Sequence, residues 1–109
     1  MAIAYKVLGQ SNPAATTATT LYTVPASTSA VVSTIVICNQ TGTAATFRIA
    51  IRPAGATLAA QHYVAYDVTV GASDSTALTL GITLATTDII TVYGSTATLS
   101  FAAFGSEIV

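Results

Sequence analysis

Ionised side chains are scarce in this sequence. Lysine and arginine together number three and aspartate and glutamate four, so 6% of the chain is charged, against about 25% in ordinary soluble domains. A monomer of this size exposes about 5,600 Å² of surface, which leaves about one charge for each 800 Å². Soluble monomers carry more, because charge limits self-association. Three explanations remain open: a surface covered by other subunits, a chain within a membrane, or a threonine-rich soluble domain.

Basic residues, cysteine and histidine are also too few for several classes of function. Three basic residues and a net charge of −1 provide no basic patch for nucleic acid. Cys38 is the single cysteine, so it has no partner for an internal disulfide, and its apolar neighbours predict a core position. His62 is the single histidine, and no CxxC pair accompanies it. The residues therefore predict neither a metal nor another cofactor.

Long apolar runs are missing as well. Threonine, serine or glycine interrupts every apolar segment, so none approaches the roughly 20 residues of a membrane-spanning helix. The sequence MAIAYKVLG has no apolar core, so we expect no secretory signal. We expect neither membrane insertion nor nucleic-acid binding.

Motifs of catalysis are absent too. The sequence contains no GxSxG motif and no glycine-rich phosphate loop. A carboxylate pair of the glycosidase kind would have to come from four acids, of which Asp74 and Asp88 lie in turn sequences where aspartate caps backbone amides. We therefore expect a protein that is not an enzyme.

The stretch from Ala30 to Pro53 carries the clearest structural signal. Its first run, 30–39, is apolar on both faces near its end, which is typical of a central strand. Its second run, 44–53, alternates and places Phe47, Ile49 and Ile51 on one face, as a half-buried strand does. Turn-forming residues separate the two runs, so we predict a β-hairpin.

About eight strands are predicted along the chain, with turn signals about every 8–12 residues. The spacing favours an all-β fold: a single antiparallel β-sandwich, jelly-roll-like, formed by residues 1–109 as one domain. Residues 1–19 are predicted to contain a short strand and an extended arm, and residues 105–109 a short tail. The remaining predicted strands cover 20–24, 30–39, 44–53, 61–70, 76–84, 89–93 and 96–104.

Strict alternation predicts which side chains of two of these strands point inward. In 76–84 it places Leu78, Leu80, Ile82 and Leu84 in the core. In 61–70 it places Tyr63 and Asp67 on one face, with Ala65 and Thr69, and Tyr66 on the other. Edge strands normally carry lysine, proline or bulges. One lysine and three prolines predict poorly guarded edges, which neighbouring copies would cover, with strand exchange through residues 2–19.

Two arginines are predicted to share the outer face of the strand within 44–53. Arg48 and Arg52 are four residues apart, or about 13 Å along a strand. Arginine pairs well with carboxylates, so we expect contact with Asp67 or Glu107 of the same chain, or with a neighbouring subunit.

Two tyrosines fall on predicted outer faces, where they mark either an interface, a sugar-stacking platform or an ordinary surface. These are Tyr63 and Tyr93. The candidate interface residues are therefore Arg48, Arg52, Tyr63, Asp67 and Tyr93.

Several segments of the sequence resemble those of a known protein family. They are TTLYTVP, CNQTGTAATFRIAIRP, YVAYDVTV and LTLGITLATTD. From Tyr5 to Val109 the chain resembles small virion structural proteins of tailed bacteriophages, notably those infecting cyanobacteria. The resemblance implies a non-enzymatic component of a tail, baseplate, fibre or neck, or a capsid decoration protein, assembled in the host cytoplasm. Its implied partners are copies of itself, with a trimer favoured, and other virion proteins. The alternative is a receptor- or carbohydrate-binding module at a tail tip.

Overall fold

Residues 2–109 are described by the computed structural model, which contains two four-stranded antiparallel sheets. Sheet A has the strand order β1-β8-β3-β6, and sheet B the order β2-β7-β4-β5. Two short 3₁₀ turns, Pro53–Gly55 and Ala60–His62, lie between β4 and β5. The strands are β1 (Ile3–Ser11), β2 (Thr19–Thr23), β3 (Ser29–Asn39), β4 (Ala45–Arg52), β5 (Tyr63–Val70), β6 (Ser75–Leu84), β7 (Ile89–Gly94) and β8 (Leu99–Ile108).

Successive strands alternate between the sheets, except β4 and β5, which pair with each other in sheet B. This order is that of an eight-stranded jelly roll. The predicted all-β sandwich is confirmed. Within residues 2–109 no helix has the length and apolar character needed to cross a membrane.

The predicted hairpin over 30–53 is wrong. β3 pairs with β6 and β8, whereas β4 pairs with β5 and β7, so the loop between β3 and β4 carries the chain from one sheet to the other. Each strand turns a fully buried apolar face to the core, shown by Ile35 and Ile37 on β3 and by Phe47 and Ile49 on β4. Burial therefore favours the two strands facing each other across the core.

The core lies between the sheets and is built from both. Phe47 of sheet B and Phe101 of sheet A meet edge to face, with ring centroids 6.2 Å apart, the arrangement that aromatic quadrupoles favour. The other large, fully buried apolar side chains are Val24, Val32, Ile35, Ile37, Ile49, Val70, Ile90, Val92 and Leu99.

Both ends of the chain are built into sheet A. β1 pairs with β8 from Ile3 to Ser11, so the short strand predicted within residues 1–19 is an edge strand of sheet A, and the segment predicted as an extended arm follows it as a loop. The predicted tail 105–109 is instead largely the end of β8, which lies between β1 and β3. Gly105 permits this close approach, because a β-carbon there would collide with the carbonyl oxygen of Val31.

The edges are better guarded than predicted. The pairing of every edge strand, β1, β6, β2 and β5, contains a register shift. Such bulges bend an edge and interrupt its ladder, which opposes pairing with other chains. On β6 the shift lies at Gly81, which has a φ of 62°. As a result Leu80 is 45% exposed, so its predicted core position is wrong.

Candidate functional site: the Arg48 cluster

Arg48 is the centre of a cluster on the outer face of sheet B. Its guanidinium carbon lies 4.1 Å from the ring centroid of Tyr66 and 4.4 Å from that of Tyr93. Its Nε donates to Asp67 Oδ1 at 2.7 Å and its Nη2 to Asp67 Oδ2 at 3.3 Å. Tyr63 meets Tyr66 edge to face, with centroids 4.9 Å apart. We call these five residues the Arg48 cluster.

A bulge in β5 brings the cluster together. Phe47 pairs with Val68 and Ile49 with Ala65, so Arg48 faces two residues of β5, Tyr66 and Asp67. Asp67 takes a left-handed conformation, with a φ of 52°, which aspartate tolerates better than most residues.

The bulge overturns the predicted alternation in β5. A second register shift follows, after which Ala50 pairs with Tyr63. Tyr63 and Tyr66 therefore contact each other on one face, although alternation predicted opposite faces. Tyr66 is the residue that the sequence prediction missed, and the pattern of residue types gives no signal for the bulge.

Arg52 lies on the same face as Arg48 but makes different contacts. Its Nε donates to Thr91 Oγ1 at 3.0 Å, and its Nη1 donates to the carbonyl oxygen of Ala56 at 3.1 Å. Among residues 2–109 the ion pairs are Arg48 with Asp67 and Lys6 with Glu107, so Arg52 has no carboxylate partner there. The expected intrachain contact is thus present for Arg48 with Asp67, while Glu107 contacts neither arginine.

The cluster combines a paired guanidinium with aromatic rings. Hydrogen bonding to Asp67 raises the pKa of Arg48 further above its ordinary value, so this guanidinium stays charged. Two rings and a carboxylate fix its position, which lowers the ordering cost when a partner binds. Tyrosine and arginine are the residues most enriched at interfaces. Tyr66 is 56% exposed and borders a shallow groove lined by Leu58, Ala59, Ala60 and Tyr63.

The other polar candidates close turns. Nδ1 of His62 accepts the Ala59 N–H at 3.0 Å. Asp88 accepts the N–H groups of Ala54 and Ala85, each at 2.8 Å, which matches the predicted capping role. No group of three or more histidine, cysteine, aspartate or glutamate side chains within residues 2–109 is placed to hold a metal ion.

Cys38 lies outside the core, contrary to the prediction. It is half-buried on β3, because its neighbours Ile37 and Asn39 take the two inward positions there. It lies on the outer face of sheet A.

That outer face of sheet A, which we call the uncharged face, presents no unpaired ionised side chain among the strand residues that the structure describes. Its pairing places Tyr5 and Val7 of β1 beside Ser106 and Phe104 of β8. The charged residues within the strands of sheet A are Lys6 and Glu107, and they pair with each other at 2.8 Å. Glu107 also accepts a hydrogen bond from Tyr22 of sheet B at 2.5 Å, so its carboxylate is directed between the sheets.

Comparison of the chain with protein-family models, with curated proteins and with solved structures found no match.

Proposed function

We propose that this protein is a non-enzymatic structural component of a bacteriophage virion, acting through protein–protein interfaces. It is an oligomeric part of the tail, baseplate, fibre or neck, or a capsid decoration protein. The observation that carries the proposal is the uncharged face, on which Tyr5 is 84% and Ile3 50% exposed. Contiguous exposed apolar surface of this kind marks interaction sites.

Most of the few charged side chains are paired or hydrogen-bonded within the chain, which supports the same role. Four of the seven ionised side chains form two intrachain pairs, and Asp74 and Asp88 bond to backbone N–H groups in turns. Little charge is left to keep separate copies apart in water. A subunit whose faces are covered by copies of itself, in a trimer, or by other virion proteins does not need that charge. Jelly rolls are common among viral capsid domains, and the sequence resemblance points the same way.

Quantitative proteomics of purified particles tests the proposal. Particles of the phage that encodes the chain would be banded twice on a density gradient, and the chain measured against the major head protein. We expect it to co-band at a fixed copy number, in multiples set by the symmetry of a head or tail. A known cytoplasmic phage enzyme in the same lysate is the control for carry-over. Depletion of the chain to the level of that enzyme would overturn the proposal.

The Arg48 cluster favours a second candidate, a carbohydrate- or receptor-binding module. The exposed ring of Tyr66 beside the groove at Leu58 can stack on a sugar ring. A glycan array with the wild-type chain, Tyr66→Ala and Val64→Ala tests it, since Val64 is 49% exposed on the same strand. Binding that Tyr66→Ala alone abolishes supports this candidate, and an array without hits excludes it.

A further inference from the structure

The uncharged face contains both a protrusion and a groove. Tyr5 on β1 is 84% exposed and is the most exposed large apolar residue of the described chain. Beside it a groove runs over β8, with β1 on one side and β3 on the other. Phe104, Gly105 and Ser106 of β8 lie within it, and its sides are formed by Tyr5, Val7, Val31 and Ser33.

A glycine accounts for the open middle of the groove. Gly105 has no room for a side chain, because a β-carbon there would meet the Val31 carbonyl oxygen. Between Phe104 and Ser106 the middle strand therefore presents only the backbone of Gly105, with Val7 and Val31 on the neighbouring strands. A flat aromatic ring from another molecule fits such a slot.

The shortage of charge on the uncharged face indicates what kind of partner it can bind. A partner bearing ionised side chains at the contact would bury them against Tyr5, Val7 and Phe104, where nothing neutralises them, and burying unpaired charge is costly. Lys6 borders the groove, but Glu107 already holds its ammonium. An identical face adds no unpaired ionised side chain, since its own Lys6 is paired with Glu107, and it supplies a tyrosine for each groove.

The size of the face is sufficient for an interface near the lower limit of specific contacts. Four strands about 4.8 Å apart and about 30 Å long cover roughly 570 Å². Two such faces together exclude about 1,100 Å², which is above the roughly 1,000 Å² expected of a specific contact.

We propose that the uncharged face packs against the same face of a second copy across a two-fold axis, with Tyr5 of each copy in the β1–β3 groove of the other. This contact rests on the proposed structural role and specifies one of its interfaces. It is isologous, so the same patch serves both copies. A two-fold contact is compatible with the favoured trimer, since the two together close into a set of six copies with dihedral symmetry.

Sedimentation equilibrium of the full chain and three variants tests the contact. Val7→Glu places a charge on the uncharged face, and Tyr5→Ser removes the protrusion without adding charge. Val64→Glu is the matched control, because Val64 on sheet B is 49% exposed and Val7 is 47% exposed. We expect Val7→Glu to raise the dissociation constant of the two-fold contact at least about 100-fold and Tyr5→Ser at least about tenfold. Val64→Glu should change it less than about twofold. Circular dichroism melting of each variant shows whether it is folded.

Three results would overturn the two-fold contact. The first is a wild-type chain that is monomeric at about 200 µM. The second is an assembly whose dissociation constant stays unchanged in folded Val7→Glu and Tyr5→Ser. The third is an assembly that Val64→Glu weakens as much as Val7→Glu does. The proposed virion role is judged separately by the particle proteomics. A monomer that co-bands with particles refutes the contact alone, and a dimer absent from particles refutes the virion role alone.

Discussion

At the scale of single residues, Asn39 joins two neighbouring connections at one end of the sandwich. Its side-chain amide is 2% exposed at the end of β3. Nδ2 donates to the carbonyl oxygens of Thr43 at 2.8 Å and Gly71 at 3.2 Å, and Oδ1 accepts the Thr41 N–H at 3.2 Å. One amide thus ties the β3–β4 loop to the β5–β6 turn.

Replacing Asn39 tests that role. Asn39→Ala removes a buried amide and its hydrogen bonds to both connections, and we expect it to lower the free energy of unfolding by about 2–3 kcal/mol. Gln40→Ala, at the exposed next position, should cost less than about 0.5 kcal/mol. Urea denaturation followed by circular dichroism measures both. Equal effects at the two positions would show that the amide network contributes little.

Glu107 gives the protein a pH dependence on the acid side. Hydrogen bonds from Lys6 and then from Tyr22 lower the pKa of Glu107, despite the opposing effect of burial. A carboxylate with a lowered folded-state pKa stabilises the fold above the unfolded value of about 4.3, and that contribution is lost as the pH falls through the folded-state pKa. Burial, with Glu107, raises the pKa of Tyr22, so the fold also loses stability as the pH rises above about 10.

Unfolding measured between pH 2 and pH 8 separates the contributions. Glu107→Gln should flatten the loss of stability below about pH 4.3, because it removes the group that titrates. Lys6→Met removes the largest cause of the shift, so the folded-state pKa of Glu107 should rise toward its unfolded value. The acid loss should therefore be smaller than in the wild type and should end at a higher pH. An acid profile that neither variant changes would assign the acid sensitivity to other groups.

At the scale of strands, the bulge at Asp67 combines a conformational role with an ion pair, and three substitutions separate them. Asp67→Asn keeps a residue that tolerates positive φ and loses the ion pair, so it should cost less than about 1 kcal/mol. Asp67→Gly relieves the conformation entirely. Asp67→Val forces a β-branched residue to a φ of 52°, and we expect it to cost about 1–2 kcal/mol more than Asp67→Asn. Chemical denaturation ranks the free energies of unfolding of the three variants. If Asp67→Val were as stable as Asp67→Asn or more stable, the conformational role of Asp67 would be refuted.

The strands themselves could be predicted from the sequence, but their partners could not. Alternation is a property of one strand, so Phe47, Ile49 and Ile51 reveal β4 without revealing its neighbours. A turn between two strands is compatible both with pairing and with crossing to the opposite sheet, which is why the hairpin prediction failed for β3 and β4. A single bulge then reverses the face of the sheet on which each later side chain of that strand lies.

The same limits apply to the candidate site. All five predicted interface residues lie on the outer face of sheet B, and four of them belong to the Arg48 cluster. Arg52 lies four residues further along β4, or two repeats of the pleat. Tyr66 was missed because its position depends on the left-handed backbone at Asp67. The uncharged face could be anticipated only as a shortage of charge, since its location depends on where the few charged residues pair.

At the scale of the whole molecule, the two outer faces differ in character. The outer face of sheet B carries both arginines and Asp67. In sheet A, Lys6 pairs with Glu107, whose carboxylate is directed toward sheet B. Association through the uncharged face should therefore respond to salt differently from association through the Arg48 cluster. Screening weakens contacts between exposed charges and leaves apolar contacts largely unchanged.

Salt dependence of self-association distinguishes the faces. Between about 50 and 500 mM sodium chloride we expect the dissociation constant to change less than about threefold, because no ionised group meets another at the contact. Sodium sulfate at equal ionic strength should tighten it, since excluded salts strengthen apolar burial. Sedimentation equilibrium in both salts provides the measurement. If sodium chloride weakened association tenfold or more, charged groups would carry the contact, and the Arg48 cluster with Arg52 would then be the face that copies share.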